Sequence, residues 1–484
     1  MERVLKNIQP IEVLKYFEDI SQIPRGSKNE KGISDYLLEF GKKLNIEVVQ
    51  DEYLNIYMRK PATEGYEKGK TVMLQGHMDM VCEKNADTQH DFTRDPLKLR
   101  VVDGKILATG TTLGADNGIA VAYIMALMAS KDIPHPELEA LITVEEETSM
   151  NGAKTFNPEF FRSKYLINVD STDDSKLLVS CSGGLRVSVI KKVNRVPIEG
   201  EIITIKVRGL KGGHSGIEIN KERGNANKIL GRILINVEKN YNNINIVSLS
   251  GGAKDNAIPR ESDCQIAVDK QDVDNIILSI KSVEDVIKNE LENEEDFHII
   301  VSKEEKAIRE DMISIKDSKD VIDLMYLLPN GVKTQSMEIK DLVITSNNIG
   351  VIEYEGDNVI FKNAIRSSID SAKYNVVREI EVLSRAFRAV IKESAVYPGW
   401  KYDKDSEIRV IAQKAYKKMY NEEMGIYAIH AGVECGIIKE KLPQLDMISV
   451  GPIIMDNHTP DEWVSIESIN KVWNFIKEVL SNIK

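Results

Sequence analysis

One stretch gives the first indication of the fold: Thr71-Val72-Met73-Leu74-Gln75-Gly76-His77-Met78-Asp79. Its apolar first half is typical of a strand buried in a sheet. Side chains two positions apart on a strand point the same way, so His77 and Asp79 can act as a pair. A metal-bound histidine usually donates its other ring hydrogen to a carboxylate. The spacing fits a metal-bound His77 oriented by Asp79, although a lone histidine there is more often structural.

Helix-like and strand-like segments alternate from about Pro10 to Gly183. Between the first two predicted strands, Gly118 to Ala129 is apolar nearly all round, which is typical of a helix covered on both sides. The pattern predicts an α/β fold with a three-layer α/β/α domain. Its predicted strands are 71–76, 138–144 and 165–169, and its first helices are 13–21 and 30–44.

The pattern changes at about Gly184, where alternating stretches and one-sided helices predict an α+β domain with an antiparallel sheet. We predict a solvated helix face in the Lys- and Glu-rich stretch Asp274 to Glu310, and a helix from Lys373 to Ile391. The α/β pattern returns at about Ser394. The sequence therefore predicts one α/β domain, residues 1–184 and 394–484, interrupted by an inserted domain at 185–393.

Composition excludes several classes of protein. The chain has 484 residues and a net charge of −12, which argues against nucleic acid or an anionic membrane as the main partner. The segment Met1 to Lys6 carries charges throughout and is not typical of a signal peptide. No window approaches the roughly 20 apolar residues of a membrane span. The cysteines lack paired spacing, which favours reduced thiols in a cytoplasmic protein: Cys82, Cys181, Cys264 and Cys435.

Acidic residues and a second histidine follow other predicted strands or lie in loops. Asp116 stands in a Gly-rich loop before the buried helix, where it could also serve as a helix cap. The run Glu145-Glu146-Glu147 follows a buried strand, the position at which parallel α/β sheets place their sites. Asp170 closes another apolar strand. His458 precedes Pro460 and could be a simple turn residue.

Taken together these residues form a mixed nitrogen and oxygen donor set. Such a set suits Zn²⁺, Mn²⁺ or Co²⁺. A carboxylate shared by two ions would give a two-metal site. A cation would also relieve the repulsion among the consecutive glutamates.

The motifs resemble, in order and over nearly the whole chain, those of the M20 family of metallopeptidases. Within it they resemble the aminoacyl-histidine dipeptidases, the carnosinase-like Xaa-His branch, which the stretch His430-Ala431-Gly432-Val433-Glu434-Cys435-Gly436 favours. The matching stretches are 74–81, 114–118, 146–147, 168–170, 212–216, 430–436 and 458–462. The resemblance implies a zinc-peptidase catalytic domain with an inserted lid.

The resemblance also implies a role for each site residue. Asp116 would bridge two divalent ions, most commonly Zn²⁺. His77 and Asp170 would complete one metal shell, and Glu147 and His458 the other. Glu146 would be the general base, and Asp79 would orient His77. Relatives often have a cis peptide bond after the bridging aspartate, here Asp116-Asn117.

Residues of the inserted domain, and one acid from the His430 to Gly436 stretch, would bind the substrate. By resemblance His214 donates to the oxyanion, and in dimeric relatives it reaches the site of the partner subunit; without the resemblance it is a histidine in a Gly-rich turn. Asn256 would contact the substrate, and Arg366 would hold its terminal carboxylate unless it forms a surface ion pair. Glu434 would bind the free amine. A homodimer through the lid is implied as well.

The expected activity is hydrolysis of unblocked dipeptides, of the Xaa-His type or broader. The alternatives are another M20 activity, tripeptide aminopeptidase or N-acyl amino acid deacylase, and a binding homologue without catalysis. The metal motifs do not separate the enzymes, because the scissile amide is handled alike in all of them. A non-catalytic homologue would have lost a ligand or the base, and this chain retains them all.

Overall fold

The computed structural model describes residues 3–484, and it places them in two compact units. Unit 1 comprises the residues up to Ser180, Tyr402–Ala428 and Val433–Lys484. Unit 2 comprises Cys181–Lys401 and Ile429–Gly432. Met1 and Glu2, which begin the N-terminal segment considered above, lie outside the described residues. None of the helices in residues 3–484 combines the length and apolar character that crossing a bilayer requires.

Unit 1 is built on an eight-stranded sheet whose four central strands are parallel and are flanked on each side by an antiparallel strand. In spatial order its strands are Glu47–Gln50, Ile56–Lys60, Leu138–Thr143, Val72–His77, Tyr165–Asn168, Asp446–Ser449, Lys176–Cys181 and Gly425–Ile429. The parallel strands Val72–His77, Leu138–Thr143 and Tyr165–Asn168 end at the same edge. The side chains that follow them are therefore brought together.

Helices cover this sheet. They are Ile11–Ile20, Lys31–Lys43, Ala115–Ala129, Asn151–Thr155, Glu407–Tyr420, Glu434–Lys441 and Ile466–Ser481. The helix Ala115–Ala129 is buried along almost its whole length, because it packs on the strand Val72–His77 and under the helix Ile11–Ile20. Its Tyr123 stacks on Trp473, with ring centroids 5.9 Å apart. The predicted helix covered on both sides is thus confirmed.

A small four-stranded sheet in unit 1 was not predicted. Its strands are Ile454–Met455, Trp463–Ser465, Lys105–Ala108 and Leu99–Val102. The loop between the first two carries His458. Because Lys105–Ala108 pairs with Trp463–Ser465, the hairpin 99–108 anchors a segment that lies more than 300 positions further along the chain.

Unit 2 contains a nine-stranded sheet in which all the pairings are antiparallel. The strands are His298–Glu304, Glu201–Arg208, Ser262–Val268, Asn245–Gly251, Val343–Glu355, Asn358–Ser367, Gly183–Lys192 and Val390–Tyr397, with Gly331–Gln335 paired to Val343–Glu355. Two short ladders join Arg195–Pro197 to Asp311–Ile313 and Gly213–His214 to Ala257–Ile258. The helices are Ala226–Asn240, Val273–Glu290, Ile315–Leu327 and Asp370–Ala386. An α/β domain and an α+β unit, as predicted, are thus present.

Two helix predictions in unit 2 are wrong at their C-terminal ends. The predicted helical face of 274–310 ends at Glu290, and the strand His298–Glu304 follows it. The helix predicted to Ile391 ends at Ala386, because Arg388 adopts a left-handed backbone with φ +56° and Val390–Tyr397 is a strand. Its β-branched residues Val390 and Ile391 favour that strand.

Candidate metal centre

His77 is the last residue of its strand, and Asp79 lies directly behind it. Nδ1 of His77 is 3.2 Å from the carbonyl oxygen of Asp79 and 3.3 Å from its Oδ1. The Asp79 carboxylate also accepts hydrogen bonds from the backbone N–H groups of Glu146 and Glu147 and from the Ser27 hydroxyl. Asp79 therefore fixes the ring of His77 and holds the glutamate loop beside it.

Asp116 lies between the two histidines. Its Oδ1 is 3.3 Å from Nε2 of His77, and its Oδ2 is 3.5 Å from Nε2 of His458. Asn457 donates to the same Oδ2 at 3.1 Å. The partners of the Asp116 carboxylate among residues 3–484 are the side chains of His77, Asn457 and His458. The helix-cap interpretation needs a backbone N–H as the partner, so these contacts do not support it. The peptide bond Asp116-Asn117 is cis, as the resemblance implied.

The remaining acids surround these residues on both sides. Oδ1 of Asp170 is 3.6 Å from Nε2 of His77, and Oε1 of Glu147 is 3.1 Å from Nε2 of His458. Oε2 of Glu146 lies 4.0 Å from Nε2 of His77. Three groups of three donors have all their donor atoms within 4.8 Å of one another: His77, Asp116 and Asp170; Asp116, Glu147 and His458; His77, Glu146 and Glu147.

The electrostatics show an excess of negative charge at this edge of the sheet. Burial, with the charges of Asp116 and Glu147 added, raises the pKa of Asp170 to about 6 despite His77. Burial likewise raises the pKa of Glu146 well above its ordinary value. Hydrogen bonds to Asp116 and Glu147 raise the pKa of His458 to about 10. The two imidazoles alone do not balance the negative charge of the acidic residues. A cluster of nitrogen and oxygen donors with excess negative charge fits divalent cations.

Two buried charged residues hold the Asp116 loop in place, and the sequence motifs assign no role to either of them. The carboxylate of Glu462 accepts hydrogen bonds from the backbone N–H groups of four consecutive residues, Leu113 to Asp116, at 2.8 to 3.3 Å. Arg25 donates to the carbonyl oxygens of Met78, Asp79 and Gly114. Gly114 has φ +65°, and a Cβ there would lie 2.5 Å from Nη2 of Arg25. The loop therefore requires glycine at this position.

Glu434 is a buried residue of unit 1. Its Oε2 accepts from Nε2 of Gln75 at 2.6 Å and from the Thr143 hydroxyl at 2.7 Å. Its Oε1 is buried and has no hydrogen-bond partner among residues 3–484. Burial raises the pKa of Glu434 to about 7. One oxygen is thus structural, and the other is free to accept a hydrogen bond.

In unit 2, His214 is held as a neutral ring with a defined tautomer. Nδ1 accepts hydrogen bonds from the backbone N–H groups of Gly216 and Ile217, at 3.2 and 3.1 Å. Burial lowers the pKa of His214, and the charge of Arg366 lowers it further. Because Nδ1 is an acceptor, the ring hydrogen is on Nε2 and is available as a donor.

Asn256 belongs to the loop that pairs with His214. The carbonyl of Asn256 accepts from the N–H of Ser215 at 2.9 Å, and its side chain is exposed. The buried amide of Asn348 donates to the carbonyls on either side, those of Asp255 at 3.2 Å and Ala257 at 2.8 Å. The two segments that carry His214 and Asn256 are thus hydrogen-bonded to each other, and Asn348 holds the second of them in place.

Arg366 is buried in unit 2, with only 4% of its surface exposed. Its Nη1 donates to the hydroxyl of Tyr397 at 3.0 Å, and its Nε is buried without a partner. The nearby carboxylate of Asp255 is bonded to Arg186 instead. Within the described part of the chain Arg366 forms no ion pair, so the surface ion-pair interpretation is wrong.

The comparisons with known proteins agree with this architecture. The model of peptidase family M20/M25/M40 matches residues 73–482. The chain therefore belongs to this metallopeptidase family.

Two relatives are similar over their full length. A protein of Escherichia coli K12 named cytosol non-specific dipeptidase is 37% identical, with 99% of each chain covered. The crystal structure of an aminoacylhistidine dipeptidase from Vibrio alginolyticus is 36% identical and superposes with a TM-score of 0.95, covering 100% of this chain and 99% of that one. An aminopeptidase from Bacillus cereus, 16% identical with a TM-score of 0.56 over 98% of this chain and 99% of that one, shares the fold.

Proposed function

We propose that the protein is a metal-dependent dipeptidase that hydrolyses the peptide bond of unblocked dipeptides in the cytoplasm. The observation that carries this is the position of the Asp116 carboxylate, with one oxygen facing His77 and the other facing His458. The names of the two full-length relatives support the substrate class, and the first of them also supports the location.

The residues present fit two divalent ions. We assign Asp116 as the shared ligand, His77 and Asp170 to one ion, and Glu147 and His458 to the other. Zn²⁺ matches this donor set, and Mn²⁺ and Co²⁺ are compatible with it. When bound, such ions lower the pKa of water and polarise a carbonyl group.

Glu146 is the proposed general base. Its carboxylate lies beside the ligands, and its backbone N–H is held by Asp79. In hydrolysis it takes a proton from the attacking water and delivers it to the leaving amine. Asp79 acts through His77 by fixing the ring orientation.

We further propose that unit 1 is the catalytic domain and that unit 2 is the lid. The Nε2 hydrogen of His214 is suited to donate to a developing oxyanion. Asn256 contacts the peptide, and Arg366 holds its terminal carboxylate. In unit 1, Oε1 of Glu434 is the proposed acceptor for the free amine, since it is an acid oxygen without another partner.

A substrate panel tests the function. Purified protein would be assayed with Gly-His, β-Ala-His, Leu-Gly, Gly-Gly-Gly and an N-acetyl amino acid, with added Zn²⁺ or Mn²⁺ and with chelator. We expect cleavage of the dipeptides alone, abolished by chelator. The ratio between Gly-His and Leu-Gly decides between the narrow and broad substrate ranges that the relatives' names indicate. Cleavage of only the tripeptide or the N-acetyl compound would contradict the dipeptidase assignment.

Arg366→Ala is expected to raise KM for Leu-Gly by about tenfold to a hundredfold, the usual worth of a hydrogen bond to a charged group. The same variant should leave kcat/KM for Leu-Gly-amide unchanged, because the amide carries no terminal charge. Steady-state kinetics with both substrates measure this. Arg208→Ala, which removes a partly exposed arginine paired with Asp263 in the same unit, is the control. An equal loss with the amide would contradict the carboxylate role.

We also propose a homodimer formed through unit 2. Val390–Tyr397 is the last strand at one edge of the nine-stranded sheet, and its Val390 and Val396 are 63% and 49% exposed. Such an edge offers unpaired backbone groups and apolar side chains to a second copy. Light scattering is expected to give twice the chain mass of 54.5 kDa.

In Val390→Asp/Val396→Asp the dimer is expected to dissociate to one chain mass. Leu278→Asp is the matched control, because Leu278 is 64% exposed on the helix Val273–Glu290 of the same unit. A wild-type protein that is monomeric at micromolar concentration would overturn the dimer, and an unchanged dimer in the double variant would overturn this interface.

A further inference from the structure

Tyr397 is built into unit 2 so that its hydroxyl meets Arg366. A Cβ on Gly184 would lie 2.5 Å from the Tyr397 hydroxyl oxygen, and one on Gly432 would lie 2.6 Å from its ring. The buried ammonium of Lys373 donates to the backbone carbonyl of Tyr397 at 3.1 Å. Two glycines thus leave room for the ring, and a lysine holds the backbone. The position of this hydroxyl is fixed on several sides.

The hydroxyl has a hydrogen to give. A tyrosine hydroxyl is one donor and can accept as well. Its bond with Arg366 uses it as an acceptor, at 3.0 Å. No described side chain or carbonyl takes the O–H hydrogen of Tyr397, and Arg366 makes no other hydrogen bond within residues 3–484. The pair therefore presents free N–H and O–H donors together with a positive charge.

The charge of Arg366 requires an anion. An arginine that is 4% exposed and unpaired is costly, since a buried charge is normally paired. A carboxylate has two oxygens with several lone pairs, so it can accept from a guanidinium and a hydroxyl at once. The geometry of the pair matches this ligand.

We propose that Tyr397 is a substrate-binding residue that donates its hydroxyl hydrogen to the terminal carboxylate held by Arg366. This inference rests on the proposed function, in which that carboxylate belongs to a dipeptide. This role of Tyr397 also explains the glycine at position 432 in the His-Ala-Gly stretch, because a side chain there would displace the ring of Tyr397.

The chain contains a matched pair for comparison. In unit 1, Nη1 of Arg409 donates to the hydroxyl of Tyr402. Arg409 is also buried, but its Nη2 donates to the carbonyl of Lys404 at 2.5 Å. Tyr402→Phe removes the same single oxygen beside an arginine that no proposal involves in substrate binding.

The test is steady-state kinetics of Tyr397→Phe and Tyr402→Phe with Leu-Gly and Leu-Gly-amide. Tyr397→Phe is expected to raise KM for Leu-Gly by about tenfold or more with kcat little changed, and to leave the amide unaffected. Tyr402→Phe is expected to leave both substrates unaffected. An unchanged KM in Tyr397→Phe would overturn the proposal.

A double variant separates binding from positioning. If Tyr397 only held Arg366 in place, Arg366→Ala/Tyr397→Phe would equal Arg366→Ala. We expect a further loss of several-fold in kcat/KM for Leu-Gly, because the hydroxyl makes its own bond; equality of the two variants would overturn the proposal. If the wild-type protein cleaved no dipeptide in the panel, the result would contradict the proposed function itself. That outcome is distinguishable from a failure of the Tyr397 proposal, in which the wild-type protein remains active.

Discussion

Glu146→Gln is expected to retain the wild-type metal content while kcat falls by about 10²- to 10⁴-fold. The glutamine keeps the shape of the side chain but cannot take a proton from water. Glu146 lies 4.0 Å from His77, further than Asp116 and Asp170 do. Loss of turnover without loss of metal is therefore the result that distinguishes a base from a ligand. The measurement pairs kcat for Leu-Gly with metal content by mass spectrometry.

The neighbouring residue provides the control. Glu145→Gln changes the same functional group one position earlier, where the carboxylate accepts from the Ser149 hydroxyl on the surface. It is expected to leave kcat within about twofold of the wild type, as surface substitutions usually do. Metal loss in Glu146→Gln would make Glu146 a ligand, and normal kcat would remove it as the base.

Asp116→Asn is expected to lose metal and activity together. Its two oxygens face different histidines, so in the proposed assignment one substitution removes a charged ligand from both metal shells. Even residues behind metal ligands cost about 10- to 100-fold in affinity or activity when replaced, so a shared ligand should cost at least the upper end of that range. Metal titration is expected to show fewer than two ions per chain.

Thermal unfolding gives a second readout for this variant. A bound metal stabilises the folded protein by mass action, so added Zn²⁺ should raise the wild-type Tm. The rise should be smaller in Asp116→Asn. Asp103→Asn, in an exposed turn of unit 1, is the control and should behave as the wild type. Two ions retained in Asp116→Asn would overturn the bridging assignment.

The fold could be predicted from the sequence where buried segments leave a run of apolar residues or an alternation of apolar and polar residues. The strands Leu138–Thr143 and Tyr165–Asn168 lie within one residue of their predicted bounds, and the helix Ala115–Ala129 was visible from its apolar composition. The edge strands His298–Glu304 and Val390–Tyr397 were missed because the first has a single buried residue, Ile299, and the second has none, so neither shows a regular alternation of buried and exposed positions. The small sheet with His458 was missed because its strands are short and pair over a long sequence distance.

The candidate site divides in the same way. Acids and histidines at strand ends were visible as a set, and the structure brings His77, Asp116, Glu147, Asp170 and His458 together. Arg25, Glu462 and Asn348 act through hydrogen bonds to backbone groups, and Tyr397 through the hydrogen bond between its hydroxyl and Arg366. Such contacts leave no spacing pattern in a sequence, so only coordinates reveal them.

The order in which a ribosome makes the chain gives the Glu462 contact a further consequence. His458 and Glu462 come 311 and 349 positions after Glu147 and Leu113, the residues that they contact. At about 5–20 residues per second, translation of the first interval takes about 15 to 60 s. During that time the nascent acidic cluster lacks its second imidazole and its loop lacks the carboxylate that holds it. The proposed site for two ions can therefore be completed only late in synthesis, after all of unit 2 has left the ribosome.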